Sequence, residues 1–216
     1  MVDVDRSLRL NKGQFLTDEY SKDLIVLHHT EGASAKSTFE YWDSNPSRTA
    51  TAFIVERDGT IYEVFDPKHW AVHVGVKNAQ KKTIYDHEKR SIGIEIACEG
   101  VLTLVDGKPR AFVSDEKPKG SAFKGTLYDH GADWRSYRYF AAYTAEQLAA
   151  VNALVDDLCT RFNISRRTPK DGLNFDKSLL SFTGIVGHNH MRGVKSDLHP
   201  GFDWPGLKTH CSLNEV

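Results

Sequence analysis

The sequence predicts an α/β fold, a single domain in which helices cover a central mixed β-sheet, and three observations carry that prediction. DLIVLH at residues 23–28 is a continuous apolar run followed by turn-formers, the pattern of a strand buried on both faces. Residues 144–162 repeat apolar side chains at helical spacing along one face. Around these two segments the chain reads β-α-β-β-β, an insertion, then α-β, an order that a mixed sheet with covering helices accommodates.

Taken in order, residues 1–20 show no period and read as an N-terminal arm packed on the domain. After the first strand, residues 34–42 suit a short helix. TAFIVERDGTIYEVF at 51–65 holds two β-rich runs joined around Asp58-Gly59, the chemistry of a hairpin turn. SIGIEIACEG at 91–100 is a further strand, in which Gly93 lets another group approach the backbone closely. Residues 101–143 shift toward Gly, Lys, Asp and aromatics and read as an insertion with one more hairpin. In the helix at 144–162, Thr144 is the expected cap and Gln147 completes a capping box. Leu148, Val151, Leu154, Val155, Leu158 and Phe162 form its apolar face. TGIVGH at 183–188 reads as a short buried strand that delivers its histidine at the C-terminal end, and residues 205–216 as an irregular C-terminal tail.

With 216 residues, 40% of them hydrophobic and 26% charged, the chain can bury one sizeable core and lacks the composition of disorder. A formal net charge of −1 offers no global basic field for nucleic acid. No apolar run approaches the roughly 18–20 residues that span a bilayer. The N-terminus MVDVDRSLRL carries acids where a signal peptide would carry bases. The expectation is a soluble monomer made in the cytoplasm, without a nucleic-acid or membrane partner. Cys98, Cys159 and Cys211 are too widely spaced for a disulfide framework or a CxxC zinc knuckle. Cys98 and Cys159 sit beside apolar residues and read as buried thiols, Cys211 as part of a loose tail.

The chemistry-bearing residues concentrate at strand ends and in GHNHMRGVKSDLHPGFDW, residues 187–204. A hydrolytic zinc centre takes three His, Asp, Glu or Cys ligands and leaves a position for water. His28 and His29 end the first strand, and since adjacent strand residues point to opposite faces only one of them can serve a given site. His188 ends the last strand, with His190, Asp197 and His199 close behind. Residue type alone does not choose among these. Glu95, between Ile94 and Ile96, is an acid in a buried-looking strand, costly unless paired or functional. Trp134, Tyr137, Tyr139 and Phe140 can either wall a cleft or pack the insertion on the domain.

IVLHHT, AFIVERDGTIYEV, WAVHVG, SIGIEIACEG and the 187–204 stretch occur in the order and rough spacing of one family. In these five motifs the chain resembles the type 2 N-acetylmuramoyl-L-alanine amidases, which include phage lysozyme-like amidases, bacterial muropeptide amidases and catalytic peptidoglycan recognition proteins. The resemblance implies one Zn²⁺ ion with His28, His188 and Asp197 as ligands, selecting His28 over His29. It implies that Glu95 handles the proton of the attacking water, that Lys195 of KSD stabilises the oxyanion, and that His73 of WAVHVG contacts substrate. It leaves His190 and His199 near the centre or at the surface. Two departures stand out: His199 sits where the family often has glycine, and Thr51-Ala52 replace an ionisable pair before the hairpin. The implied partner is bacterial peptidoglycan or a muropeptide, and the implied setting a phage-type endolysin that acts on the wall after release. The rivals are a non-catalytic peptidoglycan-binding protein and a cytosolic recycling amidase.

Overall fold

The apolar run near residue 24 becomes β1, Leu24–His29, and every other element of the main sheet is arranged around it. In this computed structural model, which describes residues 1–170 and 172–216, β1 is followed by α1, Ala35–Ser44, and the short hairpin β2, Phe53–Val55, and β3, Ile61–Glu63. A five-residue helix α2, Asp86–Arg90, then leads directly into β4, Ser91–Ile96. The insertion supplies β5, Val101–Val105; β6, Lys108–Ala111; β7, Ser121–Ala122; β8, Leu127–Trp134; and β9, Tyr137–Ala141. The long helix α3, Ala145–Phe162, and β10, Arg167–Thr168, precede β11, Gly184–Gly187. The chain continues through α4, His188–Met191, α5, Trp204–His210, and β12, Asn214–Glu215, the last pairing in parallel with β10.

The main sheet runs β11-β1-β4-β2-β3, parallel except for the edge strand β3. The fold is thus a single α/β domain with a mixed sheet, as expected. All six residues of β1 are buried, and their alternation divides the interior. Ile25 and Leu27 face the larger core with α3, whereas Leu24 and Val26 join Val74, Val76, Val186 and Met191 on the other side. Burying Val, Leu and Ile side chains is worth about 1.5–3 kcal/mol each, so a one-residue slip of β1 would forfeit both faces at once. Gly93 is required for the reason the sequence suggests: a Cβ there would stand 2.6 Å from Thr51 Cγ2 and 3.0 Å from His73 Nδ1.

α3 starts at the expected place. The Thr144 hydroxyl accepts the Gln147 N–H, and Gln147 Oε1 accepts the Thr144 N–H, closing the capping box. Gln147 is fully buried, and its amide also donates to Ala97 O at 2.8 Å, tying the helix start to the end of β4. The arm reaches back to β3, where Arg6 and Arg9 both pair with Glu63.

Three expectations need correction. The insertion is not one hairpin but a five-stranded antiparallel sheet of order β7-β6-β5-β9-β8. Its strands, such as KPRA and LYDHGADW, are half-buried to exposed along most of their length, so no clean apolar alternation marks them in the sequence. The tail is not irregular: Asp203 caps α5 by accepting the Gly206 N–H, with Pro205 in the first turn. Cys211 is not in a loose segment either, since the α5–α3 packing buries it completely and its thiol donates to Asn152 O. Cys98 and Cys159 are buried as expected.

Lys22, just before β1, is only 5% exposed and donates to His69 O and Lys89 O. Burial pushes its ammonium down to about 8. Between that value and the unfolded value near 10.4 the unfolded chain binds the extra proton, so this group makes stability rise with pH across roughly pH 8–10. Wild type should therefore gain on the order of 1–3 kcal/mol relative to Lys22→Met over that window in denaturant titrations. Parallel stability curves for the two proteins would show that the ammonium carries no such cost.

Candidate metal and catalytic site

Strand parity selects between the two adjacent histidines. His28 follows Leu24 and Val26 onto the smaller-core side, while His29 goes to the other face, where its Nδ1 lies 3.1 Å from Tyr143 Oη. β1 pairs with β4 so that His28 stands beside Glu95, and with β11 so that Leu27 stands beside Gly187, the residue before His188. The loop after α4 then returns Asp197, whose carbonyl accepts the Asn189 N–H at 2.6 Å. Three donor atoms converge as a result: His28 Nδ1 and His188 Nδ1 lie 3.0 Å apart, and Asp197 Oδ2 lies 3.1 and 2.9 Å from them. Among the described residues this is the group that could hold a metal ion.

Hydrogen bonds at the far side of each ring decide what these atoms present. Ser91 Oγ donates to His87 O at 2.5 Å, so it accepts from His73 Nε2 at 2.9 Å. His73 Nδ1 is thereby left as an acceptor for the His28 Nε2–H, also at 2.9 Å. His188 Nε2 donates to Val74 O at 2.8 Å. Both imidazoles therefore turn Nδ1 toward the Asp197 carboxylate, and burial, with the neighbouring His188, pushes His28 down to about 4. Three potential ligand atoms gathered around one point can hold a metal ion. A tetrahedral zinc with bonds of roughly 2.0–2.2 Å sets its ligand atoms about 3.3 Å apart, close to the spacings found, so the donor set fits that ion. The far-side hydrogen bonds are the kind that fix ligand orientation.

The two orienting acceptors, His73 and Val74 O, sit on one turn, and that turn is held by a buried acid. Glu88 is fully buried; its Oε2 accepts the N–H groups of His73 and Val74 at 3.0 and 2.8 Å, and its Oε1 that of Gly75 at 2.7 Å. Gly75 takes a φ of +66°, a left-handed conformation glycine adopts without strain. Burial holds the Glu88 carboxyl above its ordinary value, and the three N–H groups offset only part of that rise. Nothing in YDHEKRS distinguishes Glu88 from a surface acid, and sequence reasoning missed it.

Glu95, Lys195 and His73 line a cleft of about 340 Å³ together with the three converging residues. A second hollow of about 350 Å³ adjoins it, sharing Thr30, Glu31, Tyr41, Trp42 and Glu95 and adding Gly32, Ser37 and Thr38. Burial, reinforced by the nearby Asp197 charge, raises the Glu95 carboxyl well above its ordinary value. Its Oε2 is buried without a protein hydrogen-bond partner. His73 lies beside the cleft, but both its ring nitrogens are committed to the protein.

His190 and His199 are not surface residues. His190 is fully buried, and its Nδ1 accepts the Gly187 N–H. His199 is sandwiched between Phe140 and Tyr143, with centroids 4.8 and 4.6 Å away and rings near parallel. Of the aromatics that could wall the cleft, Trp134 and Phe140 are buried in the insertion's packing, and Tyr137 is exposed.

Residues 19–202 match the family described as N-acetylmuramoyl-L-alanine amidase. Among solved structures the chain is similar to the N-acetylmuramyl-L-alanine amidase AmiD from E. coli, in complex with the substrate anhydro-N-acetylmuramic acid-L-Ala-D-gamma-Glu-L-Lys. The TM-score is 0.58 at 16% identity, over 92% of this chain and 60% of AmiD, so the chain spans less than two thirds of that protein's length. It is similar also to PlyL, with a TM-score of 0.56 and 12% identity over 99% of each chain. An AmpD derivative gives a TM-score of 0.52 and 19% identity, over 97% of this chain and 96% of that one. At these identities the structures attest the fold alone. No curated protein sequence gives a significant match.

Glu88→Gln keeps the shape of the clamp but puts an amide donor against a backbone N–H. Zinc affinity of the metal-stripped protein, measured by chelator competition, should fall about 10–100-fold, while the metal-free protein stays folded by circular dichroism. Unchanged affinity would mean that the turn at 73–75 holds its shape without the acid.

Proposed function

The chain belongs to the N-acetylmuramoyl-L-alanine amidase family, and from that premise we propose that it hydrolyses the bond between the lactyl carbonyl of N-acetylmuramic acid and the L-alanine of the stem peptide. His28, His188 and Asp197 would hold one zinc ion, which when bound would supply Lewis acidity toward the carbonyl and the attacking water. The observation that carries this reading is the convergence of three lone-pair donors, each within 3.1 Å of the others, in the same cleft as Glu95 and Lys195.

The remaining work falls to the chain's own side chains. Glu95, with one oxygen unpartnered, takes the proton of the attacking water and passes it to the leaving amine. Its raised pKa suits a group that must both accept and return a proton. Lys195 brings a fixed positive charge to the cleft, where it stabilises the negative charge developing on the carbonyl oxygen. His73 keeps the His28 ring in the tautomer that presents Nδ1.

We read the setting as lytic, of the endolysin type, because a second hollow adjoins the site cleft through Thr30, Glu31, Tyr41 and Trp42 and adds concave surface at Gly32, Ser37 and Thr38, where more of a polymer can lie. Incubation with intact sacculi and, separately, with soluble anhydro-muropeptides tests this. Release of stem peptides from sacculi supports the lytic role, and turnover of the soluble substrate only would replace it with recycling.

Purified peptidoglycan should yield stem peptides with new L-alanine amino termini; binding without release would mark a recognition protein instead. Asp197→Ala should lose zinc while His199→Ala retains it, as read by metal analysis after dialysis, and the opposite pattern would overturn the ligand set. Glu95→Gln should keep the metal and lose about 10²–10⁴-fold in kcat. Near-normal turnover would remove Glu95 from the chemistry.

A further inference from the structure

The insertion sheet reaches the segment that carries Lys195. The tip of the β8–β9 hairpin is a two-residue turn, Arg135-Ser136, between the paired residues Trp134 and Tyr137. Both tip residues have positive φ, 52° and 69°. Hairpin turns with left-handed backbone at both central positions favour Asn-Gly, and larger L side chains are held there only where the surroundings over-determine them. Here the surroundings do. The Arg135 guanidinium lies 4.7 Å from the Trp134 ring centroid, and its Nη1 donates to Gly193 O at 2.6 Å and to Lys195 O. Trp134 packs edge-on against Phe140, which stacks on His199. The insertion thus holds the 193–199 segment at both ends.

Among the described residues, few other hydrogen bonds hold the near end. Lys195 donates its N–H to Arg192 O, and Val194 is 81% exposed. Asp197, by contrast, is fixed independently: its carbonyl accepts the Asn189 N–H, and Leu198 N–H donates to Asn189 Oδ1. The stretch bearing the metal-facing carboxylate is therefore anchored to α4, and the stretch bearing the lysine is anchored to the insertion.

We propose that Arg135 is a positioning residue for Lys195, and that the insertion serves the reaction by bracing the lysine-bearing turn across the cleft. This rests on the role given to Lys195 above. Two carbonyls received by one guanidinium fix the turn's backbone, which fixes where the lysine side chain starts. Small displacements of a catalytic group cost large factors in rate, and an arginine, unlike a lysine, keeps its planar head on the Trp134 ring while one nitrogen donates to both carbonyls.

The test compares Arg135→Ala, Arg135→Lys, Lys195→Ala and the double variant Arg135→Ala/Lys195→Ala on purified peptidoglycan. Zinc affinity and amide hydrogen exchange are measured alongside. Arg135→Ala should lower kcat about 10–100-fold with little change in KM, leave zinc affinity unchanged, and speed exchange at residues 193–195 but not in β1. Arg135→Lys should fall between Arg135→Ala and wild type. In the Lys195→Ala background, Arg135→Ala should have no further effect, because residues acting as one unit are non-additive. Additive losses, a parallel fall in zinc affinity, or wild-type kcat in Arg135→Ala would each overturn the brace. If Lys195→Ala alone leaves kcat unchanged, the oxyanion role itself fails and the brace with it, a result distinct from failure of Arg135 alone.

Discussion

The constraint on which the rest of this structure depends is the alternation of β1. A strand buried on both faces must send Leu24, Val26 and His28 to one side and Ile25, Leu27 and His29 to the other. Because both neighbouring strands run parallel to it, their C-terminal ends lie at the same edge, the place where open α/β sheets put their ligands. His28, Glu95 and His188 meet there as a consequence of hydrophobic register, not of any attraction among themselves. Large apolar terms on both faces set the register, and the polar site inherits its geometry.

That origin explains the shape of the supporting network. Two imidazoles and a carboxylate gathered in a buried place are polar groups taken out of water, and they need partners to hold them there. The rings are fixed from behind, through Ser91 and His73 for His28 and through Val74 O for His188. Both supports depend on one turn, and Glu88 fixes that turn through three backbone N–H groups. A buried acid with three donors is far less costly than one without. Two acids near the site are therefore in contrasting states: Glu88 receives three backbone donors, whereas Glu95 Oε2 is buried with no protein partner.

What the sequence conveyed follows from which signals are local. β1, α3 with its capping box, the Asp58-Gly59 hairpin and the need for Gly93 are all written in short-range patterns, and each is found where it was expected. The insertion's sheet was not legible, because its strands are half-exposed and charged and lack the apolar alternation of a core strand. At the site, residue types and the family's motifs pointed to His28, His188 and Asp197, whose ligand atoms do converge. Glu88, Ser91 and Arg135 escaped notice for a shared reason. Each acts through backbone groups or through another side chain, across 13 to 60 residues of sequence, and nothing in its own neighbourhood distinguishes it.

The separations along the chain also bear on how the site and the fold support each other. His28 and Asp197 are 169 residues apart, so a metal between them ties the first strand to the loop after the last one. A ligand that binds only the folded chain adds stability as its concentration exceeds its dissociation constant, and here the added stability acts on the closure of the main sheet. The α4 segment and Asn189 already hold that closure in part, through Asp197 O and Leu198 N–H. The protein side of the site is thus formed by backbone hydrogen bonds that do not need the ion. An ion arriving there meets donors already aimed at it, and its binding energy is retained rather than spent on ordering the loop.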